Sequence, residues 1–128
     1  MTGMILSCLL SILVESAGDL PGAITSGDEA FARIDYPAAI ARYEDALAGH
    51  PGEADLLWRL ARASVCMAEV AEGDARSRLL LQAESYARRC IAADSTKGEG
   101  HTWLAGPLIH RAGGGNGKAA CALPGIAA

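Results

Sequence analysis

Aromatic residues are scarce in this sequence, at 5%, although 51% of its residues are hydrophobic. The apolar content is mostly Ala, Leu, Ile and Val, which suits close-packed helices better than a sheet. No stretch sustains period-two alternation, so the expected class is all-α. Cations are also in short supply, with 11 Lys and Arg against 15 Asp and Glu and a net charge of -4. A surface that tracks phosphates needs clustered basic side chains to displace counterions, so nucleic acid is not expected as a partner. Arginines do bunch locally, as Arg59 and Arg62, Arg76 and Arg78, and Arg88 and Arg89, but acids flank each pair in the manner of a solvated helix face. The four cysteines, Cys8, Cys66, Cys90 and Cys121, form no C-x-x-C and no Cys/His pairing of zinc-site spacing, so no metal site is expected. Cys66 and Cys90 fall on apolar faces of two successive predicted helices. Buried free thiols are the expectation there, with a disulfide as the alternative for an exported chain.

No hydrophobic run is long enough for a spanning helix, which needs about 20 residues. The run from Met4 to Val14 has 11 residues, the length of a signal peptide's apolar segment, and Val14-Glu15-Ser16 offers small residues for cleavage before Ala17. No Lys or Arg precedes it, which departs from that pattern. Residues 1–20 are thus a candidate signal or apolar N-terminal segment, through which membrane association would run. An exported, periplasmic or membrane-associated placement is preferred to a cytoplasmic one.

Helical patterns alternate with turn signals over residues 23–105. The first predicted helix covers 23–34. The second covers 37–48, with Pro37 in its first turn, where the missing N–H costs nothing, and Gly49-His50-Pro51-Gly52 closing it. A third covers 53–71, a fourth 75–93, and a fifth begins near Glu99. The composition then changes: residues 106–128 hold six glycines, two prolines and no acid. Gly106-Pro107 is expected to break the fifth helix, leaving 106–128 as a disordered Gly/Ala-rich tail. Truncation, a frame shift and a native flexible tail each account for the change.

Helix pairs at a period of about 34 residues are the signature of tetratricopeptide arrays. The segment from Ser26 to Pro51 follows that pattern, with Gly27, Ala39, Tyr43, Ala46 and Pro51 at its glycine, small, aromatic, small and proline positions. Small residues let helices approach, the aromatic fills the space between repeats, and proline ends the second helix. A second repeat, from Ala54 to about Ser95, is longer than the standard unit, with the excess around Glu69 to Arg78 and a lengthened third helix expected. A third repeat opens with Glu99, Leu104 and Ala105. The expected architecture is therefore about two and a half antiparallel helix-pair repeats of tetratricopeptide type. The stretches DLLWRLARASVCMAEV and SYARRCIAADSTKGEGHTWLA, with their W-R-x-A-R helix and G-H-x-W entry to the next, resemble the regulator of microtubule dynamics family and its bacterial relatives over residues 26–105. The resemblance implies a helical-repeat adaptor, and the sequence after Ala105 departs from the continuing helices of that family.

In such arrays the first helix of each pair lines the concave face, which nominates Asp28, Phe31, Asp55, Trp58, Arg59, Arg62 and Thr102 as partner-binding residues. Trp58 and Arg62 lie four apart on one helical face, and Trp and Arg are frequent energetic anchors at interfaces. The competing assignment packs Trp58 between helices and pairs Arg62 with Asp55 or a neighbouring acid. Capture of a chaperone tail is not expected, because of the corresponding clamp positions, Ile24, Asp28, Arg59, Glu99 and Trp103, only Arg59 suits an anion.

No cofactor and no catalytic residue is expected. Ala112 to Ala119 falls short of a phosphate loop, with Ala112 at the first glycine and Ala119 where a Ser or Thr must meet magnesium. His50, His101 and His110 have no partners at ligand spacing, and G-x-S-x-G and H-E-x-x-H are absent. Glu69, Glu72 and Asp74 read as a solvated turn. The sequence thus predicts a non-catalytic scaffold for a protein or peptide partner, with self-association open. The alternatives are an exported or membrane-tethered assembly component, and an incomplete gene product without its own activity.

Overall fold

The computed structural model describes residues 19–113 and Cys121. The apolar run Met4–Val14, the cleavage pattern before Ala17, and positions 114–120 and 122–128 lie outside the described residues. Five helices account for nearly all of the rest: α1 (Leu20–Ala32), α2 (Tyr36–Gly49), α3 (Ala54–Val70), α4 (Gly73–Ala93) and α5 (Gly98–Arg111). There is no strand among the described residues, in keeping with the all-α expectation, and no helix there is long and apolar enough to cross a membrane.

Local chemistry sets most helix ends. Asp19 caps α1 by accepting from Gly22 N–H at 3.2 Å, and Asp35 caps α2 by accepting from Ala38 N–H at 3.2 Å. Each satisfies a donor that has no partner within its helix, and Pro21 and Pro37 follow in the first turns. The end of α1 is less ordinary. Ile34 N–H donates to Phe31 C=O (2.9 Å) and Asp35 N–H to Ala30 C=O (3.0 Å), the paired bonds of a Schellman motif. The motif needs a left-handed residue, and Ile34 supplies it at φ 62°, a conformation costly for a β-branched side chain. Gly73, which opens α4 after the extended Ala71, is also left-handed, at φ 58°, where glycine carries no such cost.

The core lies around α3, which packs against α2, α4 and α5, while α1 packs on α2 and α4 on α5. Leu56, Leu57, Leu60, Ala61, Ala63 and Cys66 of α3 are essentially inaccessible to solvent, as are Ala30, Ala39, Tyr43, Ala83, Ala87 and Cys90 around them. Alanines at these contacts let the helix axes approach. Gly27 is the tightest point: a Cβ there would fall 2.6 Å from Tyr43 Cδ1 and 2.8 Å from Cζ. Both helices of the second pair are longer than their counterparts: α3 has 17 residues against 13 in α1, the lengthened third helix expected, and α4 has 21 against 14 in α2, so α4 carries more of the excess.

Two expectations are corrected. Gly106-Pro107 does not end the fifth helix: α5 continues to Arg111 with Pro107 inside it and buried, and Ala112 N–H closes its last turn onto Leu108 C=O at 3.1 Å. Proline in a helix interior costs on the order of 3 kcal/mol, and the tertiary packing of this turn offsets it, with Pro107 in the interior and Gly106 close against Val65. Residues 106–111 therefore belong to the helical body and not to a tail. Cys66 is not a free thiol either, since it forms a disulfide with Cys121 across a Cα–Cα distance of 5.7 Å. Cys90 is the buried free thiol that the sequence suggests. Its Sγ points to Ala54 C=O at 3.5 Å, and burial pushes its pKa up, away from reactivity.

Candidate functional site

Since α3 touches both α2 and α5, and α1 reaches it through side chains, α1, α3 and α5 present one shared face. On it a groove of about 460 Å³ opens between α3 and α5, lined by Asp55, Trp58, Arg59 and Arg62 from α3 and by Glu99, Thr102 and Trp103 from α5. Five of the seven nominated residues are lining residues. The other two, Asp28 and Phe31, stand behind the lining on α1 and hold its arginines.

Asp28 is the centre of that support. Its Oδ1 accepts from Arg59 Nε at 2.9 Å and from the Tyr43 hydroxyl, and Arg62 Nη2 lies 3.8 Å away. Tyr43 is fully buried, so burial, and then its bond to the Asp28 carboxylate, pushes its pKa far above the ordinary value. Arg62 is almost wholly buried, with a side-chain exposure of 5%. Its guanidinium carbon sits 3.8 Å from the centre of the Phe31 ring and 5.1 Å from that of Trp58, while Arg59 lies 4.3 Å over Trp58 on its own account. The two arginines and two aromatics form one interleaved cluster. Cation–π contacts gain strength when desolvated, reaching about 2 kcal/mol, so this cluster is rigid. Burial lowers the Arg62 pKa, and the Asp28 charge counters that shift.

A second carboxylate closes the other side. Asp55 Oδ1 accepts from Lys97 Nζ at 2.7 Å and from the Trp58 indole N–H at 3.3 Å, and Arg59 Nη1 donates to Asp55 C=O at 2.9 Å. The bond from Lys97 is the main reason that the Asp55 pKa falls below the ordinary carboxylate value. Lys97 thereby ties the α4–α5 connector to α3 and fixes the width of the groove. Arg62 pairs with Asp28 rather than with Asp55, and Trp58, at 9% exposure, packs between helices while showing its edge to the groove. The accessible part of the lining is Glu99 and Thr102, both exposed, with the half-exposed Asp55 carboxylate. Thr102 Oγ1 donates to Gly98 C=O at 3.0 Å.

Sequence reasoning did not select Lys97, Glu99 or Trp103 as contacts. Glu99 lies three residues before Thr102 and four before Trp103 on α5, the spacing of one helical face, which was the available signal. Lys97 lies in a connector, and only the folded chain brings it to Asp55. Chemically the site offers a flat aromatic and guanidinium wall with hydrogen-bonding edges, with no nucleophile–base pair. No group of three or more His, Cys, Asp or Glu that could hold a metal occurs among the described residues.

The described residues form an all-helical body with a groove between α3 and α5. More specifically, residues 24–110 match the family model described as Regulator of microtubule dynamics protein 1-3, and the chain belongs to that family. The match extends past Ala105 through Pro107 to His110, so the departure expected after Ala105 is also corrected, in agreement with the continued α5. No curated protein and no solved structure matches the chain.

Proposed function

We propose that this protein is a non-catalytic interaction module of tetratricopeptide type, whose α1–α3–α5 face receives a peptide or helix of a protein partner. The observation that carries this reading is the groove over the Phe31–Arg62–Trp58–Arg59 cluster. Phe31, Trp58, Arg62 and Trp103 are buried and form a preorganised floor held by Asp28 and Asp55, so a ligand meets Glu99, Thr102, the Asp55 carboxylate and the exposed edge of Arg59 with little ordering cost on the protein's side. Membership of the regulator of microtubule dynamics family supports an adaptor role in general terms. Panning a displayed peptide library on the protein tests it. Enriched peptides should lose binding to Thr102→Arg, which fills the groove from an exposed position without disturbing the core. Peptides that bind both forms equally would remove the groove from the account.

A second reading, an exported component, is favoured by one observation, the Cys66–Cys121 disulfide. Such bonds persist in oxidising compartments and are rare in reducing ones. Cell fractionation with thiol trapping tests it, and Cys66 found reduced in the cytosol would refute it.

A further inference from the structure

A second concavity, of about 380 Å³, lies on the α4–α5 face, away from the groove, with Leu80, Leu81 and Pro107 as its apolar part and Arg76, Glu84, His110 and Arg111 among its polar part. Its apolar part is open to solvent, with Leu81 59% exposed, and Leu108, next to Pro107 on α5, adds a further leucine that is 37% exposed. Its electrostatics are unbalanced. Glu84 is buried and already shared between Arg88 Nη2 (3.0 Å) and Arg111, and Arg76 donates to His110 Nε2 at 2.9 Å rather than to a carboxylate. Arg88 and Arg111 thus share one carboxylate and Arg76 bonds an imidazole, leaving positive charge in excess here on a chain whose net charge is -4.

The helix order says what shape belongs there. α1 packs on the α2 that follows it and α3 on α4, whereas the one described residue beyond α5 and its closing turn, the helical Cys121, is fastened to Cys66 of α3 and packs on the core there. In a helical array each element buries its free face on the next. Residues 112–128 contain no Asp or Glu to meet these arginines.

From this we infer that the α4–α5 face docks an acidic amphipathic helix of a partner protein, in the position of a mate to α5. Apolar side chains at helical spacing cover Leu80, Leu81 and Leu108, and flanking Glu or Asp meet Arg76 and Arg111. This surface is independent of the groove proposed for peptide binding.

A phage library of helix-forming peptides, panned on the full chain, tests the inference. Enriched sequences should be amphipathic and net acidic. Leu81→Glu and, separately, Arg76→Glu should each weaken them roughly tenfold or more, and Thr102→Arg should leave them unchanged. Peptides with Lys in place of the flanking acids should regain affinity for Arg76→Glu. Both positions are accessible to solvent, and circular dichroism should show both variants folded. The inference is overturned if no such peptide enriches, if enriched peptides are basic, or if they bind Leu81→Glu undiminished. Sedimentation of the wild type alone as a dimer that Leu81→Glu dissociates would assign the face to a second copy and overturn it as well.

Discussion

Replacing Gly27 with Ala places one methyl group where the packing has no room for it. The built Cβ falls 2.6 Å from Tyr43 Cδ1 and 2.8 Å from Cζ, well inside van der Waals contact. Tyr43 cannot swing away cheaply, because its ring is fully buried and its hydroxyl donates to Asp28, which also holds Arg59. Overpacking of this kind costs about 1–3 kcal/mol. Displacing the ring also weakens a charge-assisted hydrogen bond of about 1.5–3 kcal/mol. Against these stands the helix preference for Ala over Gly, worth about 1 kcal/mol. The net expectation is a destabilisation of roughly 2 kcal/mol, or about 8–16 °C in the melting temperature of a domain of this size. Gly98→Ala is the internal control, since a Cβ there meets nothing within 4 Å, and it should hold or raise stability by the propensity gain alone. Thermal unfolding followed at 222 nm compares the two. If Gly27→Ala melts at or above the wild-type temperature, the close approach of α1 and α2 through Tyr43 is wrong, and with it the anchoring of Asp28.

Further outcomes follow from the same structure. The Cys66–Cys121 bond spans 55 residues, and closing a loop of that length stabilises by about 4 kcal/mol in the chain-entropy account. Cys121→Ser, or the wild type under reductant, should therefore melt at least 10 °C lower by order of magnitude, and superimposable melts would contradict the bond's contribution. Ile34→Gly relieves a left-handed β-branched residue that is 71% exposed, and should stabilise by about 1 kcal/mol in denaturant titration, whereas a loss would show that Ile34 packs in some other way. All three tyrosines, Tyr36, Tyr43 and Tyr86, have raised pKa values, with burial as the largest cause in each and Tyr86 pushed up to about 12. The folded state therefore holds these protons more tightly than the unfolded chain does. Their contribution is complete below the ordinary value of 10.0 and is lost as pH rises through the folded values. Absorbance at 295 nm should show little tyrosinate in the native protein at pH 10 and a jump on unfolding in denaturant at that pH. Substantial native tyrosinate there would contradict the burial of these rings.

Much of the helical layout is legible in the sequence because its ends carry local chemistry. Asp35 with Pro37 announces α2, and Gly49-His50-Pro51 stops it, each through backbone groups a few residues away. The Gly27–Tyr43 approach is also readable, as a small and a large residue at complementary positions of a helix pair. What was hidden depends on distant parts of the chain. Gly106-Pro107 breaks helices by local rules, and only packing, with Pro107 buried and Gly106 beside Val65, keeps α5 going to Arg111. Nothing near Cys66 indicates Cys121, and Ile34 gives no sign of standing where glycine is usual. At the site, the face of α3 was readable from the spacing of Asp55, Trp58, Arg59 and Arg62. The identity of their partners was not, because Asp28 lies 31 residues from Arg59 and Lys97 lies 42 from Asp55.

The two tryptophans of the chain both line the groove between α3 and α5. Their indole N–H resonances in a ¹⁵N-resolved NMR titration with an enriched library peptide are the most direct readout. Both signals should shift together and saturate at one stoichiometric equivalent in the wild type, and stay in place with Thr102→Arg. A peptide that binds while both indole signals remain fixed would contradict the assignment of this groove as the binding face.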